Sequence, residues 1–94
     1  PYAKYSQIFD HPPSVGSGEF LLWEFPLCYW LEQHGYDVTY ASNSDMLTVD
    51  AFTRAKAFLS VGHDEYWDPR QYDAALASIE RGVSHLYLSG NSVY

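Results

Sequence analysis

One stretch of this sequence concentrates groups that can do acid–base or metal chemistry. Gly62-His63-Asp64-Glu65-Tyr66-Trp67 sets an imidazole and two carboxylates in a row, directly after the apolar run KAFLSVG at residues 56–62. In an extended backbone successive side chains alternate, so His63 and Glu65 face one way and Asp64 the other. A histidine beside a carboxylate can act as acid and base, or can hold a metal. The plainer reading is that Asp64 or Asp68 caps the helix that follows and that His63 is satisfied by its neighbours, because isolated polar loop residues are common. A second stretch, Gly90-Asn91-Ser92, follows another apolar run, VSHLYLS at residues 83–89. The joint occurrence of His, Asp and Glu at one strand end, facing an Asn on the next, raises the functional reading above that of any single residue.

The elements that must position these groups are legible as a pattern. Trp23, Leu27, Trp30 and Leu31 fall at helical spacing within residues 19–34, and Gly35 follows as a C′ stop. Pro26 either opens that helix or kinks it. Residues 37–41 (DVTYA) are β-branched and aromatic and predict a strand. Asn43-Ser44-Asp45 is a turn and a candidate cap, and residues 48–54 predict one or two helical turns. The run at 56–62 reads as a strand buried on both faces. For the next helix Asp68 is the N-cap, Pro69 the first residue and Gln71 the third residue of a capping box. Tyr72, Leu76 and Ile79, with Ala75 between, form its apolar stripe, and Gly82 ends it. The alternation of helices and strands implies a parallel α/β sheet with crossover helices. Such sheets bind ligands beyond the carboxyl ends of their strands, where both polar stretches lie. Residues 1–18 hold three of the five prolines and read as a loop or linker leading into an α/β domain over residues 19–94.

Other reactive side chains are weaker candidates. Cys28 sits in an apolar helix, where inert burial is the expectation. His85 alternates with apolar neighbours in a strand and reads as structural. His34 precedes Gly35 and suits a helix end. His11 lies in the loop. Nine tyrosines offer phenolate oxygen for ferric iron, although core and rim packing is the commoner use. There is no Gly-rich phosphate loop and no G-x-S-x-G elbow.

Composition excludes whole classes. The chain has 94 residues, so one small domain is expected, burying roughly 60–65% of its unfolded surface. One cysteine excludes a disulfide framework and a Cys-rich zinc module. Five basic against twelve acidic residues, a formal charge of −7, argue against nucleic acid and against an anionic membrane surface. No apolar run reaches the length of about 18 residues that a bilayer span needs. No secretory pattern is visible, which favours a cytoplasmic location. The start at Pro1, the end at Val93-Tyr94 and three tryptophans in so short a chain suggest a piece of a larger protein, with an incomplete sheet and the rest of the parent chain as its partner.

Taken together, Trp23-Glu24-Phe25-Pro26-Leu27, Trp30-Leu31-Glu32, Gly35-Tyr36-Asp37-Val38, the octapeptide SVGHDEYW at residues 60–67, Ser89-Gly90-Asn91 and Tyr94 resemble the N,N-dimethylformamidase large-subunit (beta-subunit-like) family. The octapeptide with SGN downstream is the specific part. The resemblance covers roughly residues 19–94. It implies a class I glutamine amidotransferase-like (flavodoxin-like) three-layer domain. It also implies hydrolysis of the C–N bond of a small amide at a mononuclear iron, as Fe³⁺, held by two tyrosines and one glutamate. Carried over residue by residue, Glu65 is the metal ligand, and His63 and Asn91 are active-site residues. The tyrosine ligands fall upstream of the matched region and are not transferred to Tyr2 or Tyr5; a further glutamate and phenylalanine fall beyond Tyr94. One ligand of three leaves the piece alone without competent activity. Fe³⁺ prefers hard oxygen donors and polarises a carbonyl; His63 would relay a proton to the amine and Asn91 would hold the oxyanion or orient the substrate. The alternatives are a non-catalytic glutamine-amidotransferase-like ligand-binding domain and a flavodoxin-like interaction module. Oligomeric state and the identity of the amide stay open.

Overall fold

The computed structural model describes residues 20–93. The loop or linker expected over residues 1–18, together with Glu19 and Tyr94, lies outside the described residues. The chain divides into two compact units, Pro1–Val38 and Thr39–Tyr94.

In the first unit a π-helical turn, Phe20–Glu24, runs into helix α1, Phe25–Gln33. Pro26 sits in the first turn of α1, directly after the π-helical turn, so the α-helix begins beside it. Gly35 takes a φ of +76°, which favours glycine, and ends the helix as its C′ residue. His34 donates from Nδ1 to the Trp30 carbonyl at 2.8 Å, the helix-end role expected of it. Cys28 is half-buried in α1 with a free thiol.

The second unit is a βαβ arrangement. A 3₁₀ turn, Asn43–Asp45, is closed by Asp45, whose carboxylate accepts from the Ser42 N–H and Oγ–H at 2.9 and 2.7 Å. Helix α2, Val49–Thr53, leads to strand β1, Ala57–His63. Helix α3, Pro69–Glu80, then crosses over to β2, Ser84–Gly90. The two strands are parallel, in a register running from Ala57↔Ser84 to His63↔Gly90. Among the described residues no helix is long and apolar enough to cross a membrane.

Three expectations need correction. Residues 37–41 form no strand, so the sheet has two strands among the described residues, not three. Strand propensity expresses packing on a pleated, half-buried surface, and Tyr40 is exposed there. Second, β1 is not buried on both faces: only Ser60 is buried, and the rest of the strand is half-buried or exposed. Third, the stripe of Tyr72, Leu76 and Ile79 is not the packing face of α3. Those side chains are each nearly half exposed, while Gln71, Ala74, Ala75 and Ser78 are buried. The buried set follows the same i, i+3, i+4, i+7 spacing on the neighbouring face. Small side chains there let the helix backbone come close to α2, where Met46, Phe52, Ala74 and Ala75 form the core, with Phe58 and Trp67 packed against it. Gln71 is accordingly drawn inward and does not reach back to complete a capping box; Asp68 alone caps α3, accepting from the Arg70 N–H at 2.8 Å.

His85 is a half-buried structural residue, in line with its alternation in the strand. Its ring stacks on Phe52 at 5.5 Å between centroids. Ser78 donates its one hydroxyl proton to the Ala75 carbonyl, so His85 Nε2 must donate to Ser78 Oγ at 2.8 Å and Nδ1 accepts from the Tyr87 hydroxyl at 3.3 Å. This fixes the neutral Nε2–H tautomer, and burial holds the imidazole below its ordinary pKa. The unfolded chain therefore binds a proton that the folded chain resists. Stability is expected to fall as pH drops through about 6.5, and urea midpoints measured between pH 7.5 and 5.5 should show a shallower decline for His85→Gln than for the parent.

Candidate functional site

Parallel pairing determines where the polar stretches emerge. β1 ends at His63 opposite Gly90, the last residue of β2, so Asp64 and Asn91 are the next residues out of neighbouring strands at one carboxyl edge. Cα atoms on adjacent strands are separated by about 4.8 Å. Gly62, at φ +80°, turns the end of β1 through a conformation that a side chain would strain. Tyr66 and Asn91 also have positive φ, 61° and 49°, in the segments that leave this edge. Asparagine tolerates that region; a tyrosine there is held by its surroundings.

His63 and Glu65 meet on one side of the loop. Nε2 of His63 lies 2.6 Å from Oε2 of Glu65, with the carboxylate side chain largely covered and the imidazole more open. The His63 hydrogen bond is the main reason that the Glu65 carboxyl lies below the usual range, with a bond from Tyr66 adding to it. The same carboxylate raises the Tyr66 phenol. Asp64 points the other way, as alternation requires. It takes the Ser60 hydroxyl at 2.7 Å and the Asn43 amide at 3.4 Å. Asp64 is thus not the helix cap; Asp68 is, and Arg70 clamps it from Nε and Nη2 at 3.0 and 2.9 Å, holding its pKa at about 2.

Sequence reasoning missed the serines. Ser60 Oγ and Ser89 Oγ are 2.9 Å apart, and Ser89 Oγ and Ser92 Oγ 2.5 Å. Their signal was weak but present: Ser60 is a hydroxyl among apolar residues of β1, and alternation puts Ser60 and Ser89 on the face that carries Phe58 and His85. Gln71 was read as a cap, yet it reaches Asn43 Oδ1 at 3.4 Å and lines a groove of about 180 Å³ with Asn43, Leu47, Tyr66 and Arg70.

The fit to a metal is partial. Among the described residues no three His, Cys, Asp or Glu side chains gather at one point. Glu65 is a hard oxygen donor of the kind ferric iron prefers. These side chains fit one position of an iron centre and do not build a whole one.

The second unit is thus a small α/β arrangement whose parallel strand pair carries a histidine–carboxylate pair at its carboxyl edge. The chain belongs to the family described as N,N-dimethylformamidase beta subunit-like, C-terminal, whose model matches residues 2–94. That is a dimethylformamidase-like hydrolase family. No curated protein and no solved structure matches the chain.

Proposed function

We propose that the full-length protein of which this chain is a part hydrolyses the C–N bond of a small amide, with His63, Glu65 and Asn91 at the reacting centre. The observation that carries this reading is the 2.6 Å His63–Glu65 pair at the edge from which Asn91 also leaves, in a chain of this family. An ionised carboxylate only accepts, so Nε2 of His63 carries the shared proton and Nδ1 of the neutral ring holds the lone pair. That tautomer takes a proton from an attacking water and passes it to the departing nitrogen. The water oxygen bonds to the carbonyl carbon, the C–N bond breaks, and a carboxylic acid and an amine leave. Asn91 donates from its side-chain amide to the carbonyl oxygen as negative charge builds there. Glu65 is the residue of this chain that would hold an iron, which supplies Lewis acidity toward the carbonyl when bound.

The direct test measures amine release by the full-length protein from N,N-dimethylformamide and a panel of short formamides and acetamides. Turnover of at least one is expected. Asn91→Ala should lower kcat by about 10²-fold with KM little changed, because the lost hydrogen bond strengthens only as the reaction proceeds. No hydrolysis across the panel by iron-replete protein, or an Asn91→Ala variant as fast as the parent, would overturn the reading.

A further inference from the structure

The serines at the sheet edge form a directed chain. Ser60 spends its only hydroxyl proton on the Asp64 carboxylate at 2.7 Å. Ser60 Oγ can then only accept from Ser89, 2.9 Å away. Ser89 has likewise spent its proton, so Ser92 must donate to it. The order Ser92→Ser89→Ser60→Asp64 follows from counting protons, and a carboxylate at its end polarises every link. The chain runs from the loop after β1 to the loop after β2, with Ser60 itself buried. The main chain closes the same gap: the Val93 N–H donates to the Asp64 carbonyl at 3.1 Å. Asn91 lies between two of the linked serines and keeps a left-handed backbone, as does Val93, where a β-branched side chain makes that conformation costly.

We propose that Asp64 is a positioning residue: acting through Ser60, Ser89 and Ser92, it locks the loop carrying Asn91 onto the loop carrying His63 and Glu65. Asp64 does not touch the reacting atoms. Its carboxylate faces away from the His63–Glu65 pair, and its role is to keep the pair and Asn91 in one register. The catalytic consequence rests on the amidase reading above; the structural coupling does not.

Two readouts therefore separate the two ideas. Amide hydrogen exchange at Val93, measured by NMR on the protein and its Asp64→Asn, Ser89→Ala and Ser92→Ala variants, is expected to speed up by about 10-fold in each. Asp64→Asn/Ser89→Ala should exchange no faster than either single variant, because both cut one chain. Ser89→Thr, which keeps the hydroxyl, should restore protection. Ser44→Ala, outside the chain, should change nothing. On an amide that the protein hydrolyses, the same variants should lose about 10-fold in kcat with KM within twofold. Unchanged Val93 exchange in Ser89→Ala and Ser92→Ala, or effects that add in the double variant, overturns the proposal even if Asp64→Asn fails to fold. Altered exchange in a protein without amide turnover upholds the coupling and removes only the amidase reading.

Discussion

In the full-length protein, Glu65→Gln is expected to abolish iron retention and to lower amide hydrolysis by about 10³- to 10⁴-fold while leaving the fold in place. Two losses coincide at one atom. An amide oxygen is a far poorer donor to a hard cation than a carboxylate. Glutamine also no longer forces a proton onto Nε2 of His63, since its amide can donate as well as accept. The 2.6 Å bond is the contact at stake. Glu65 is not part of the buried core, so circular dichroism and the urea midpoint should stay near those of the parent. Metal analysis of protein prepared in iron-replete medium gives the first readout and the pH–rate profile the second. Because Glu65 is held below the usual carboxylate range, the pair survives until the pH falls through that lowered value. Unchanged iron content in Glu65→Gln would show that Glu65 is not a ligand, and unchanged turnover would remove it from the chemistry.

Phe52→Ala should unfold the second unit under conditions where the parent is stable. Phe52 is 1% exposed and is the largest apolar side chain buried to that degree. Its ring meets Phe58 edge-on at 5.0 Å and stacks on His85. Truncation of a buried Phe costs about 3–5 kcal/mol, against a total of roughly 5–15 kcal/mol for a small domain. The contrasting variant is Leu76→Ala, on the α3 face expected to pack from the sequence but 48% exposed in the structure. It should cost less than about 1 kcal/mol. Urea denaturation of both variants decides which face of α3 carries the core. A small loss at Phe52 together with a large one at Leu76 would restore the helix orientation that the apolar pattern alone suggests.

The contrast at α3 shows how far the sequence reaches and where it stops. Its ends were legible because caps are local chemistry: Asp68 and Pro69 start the helix, and Gly82 at φ +89° stops it. Its buried face was not legible. Hydrophobicity ranks Leu76 above Ser78, but closeness of approach favours the smaller residue, and Ser78 has a partner in His85 across the core. Residues 37–41 illustrate the same division: their composition favours a strand, yet a strand forms only where another offers its backbone.

At the site, the sequence by itself determined the groups and their sides. His63 and Glu65 face together and Asp64 faces away because side chains alternate along an extended chain. Both polar stretches end parallel strands because the apolar runs and the intervening helix demand a crossover. Only the tertiary structure decided the register, His63 opposite Gly90, by which Asn91 leaves the sheet at the same edge as Asp64. Only it brought together Ser60 and Ser89, 29 positions apart, and turned Asp64 into the end of a hydrogen-bonded chain. The physical reason is range: capping and alternation act within a few residues, whereas a hydroxyl finds its acceptor only after the strands have paired.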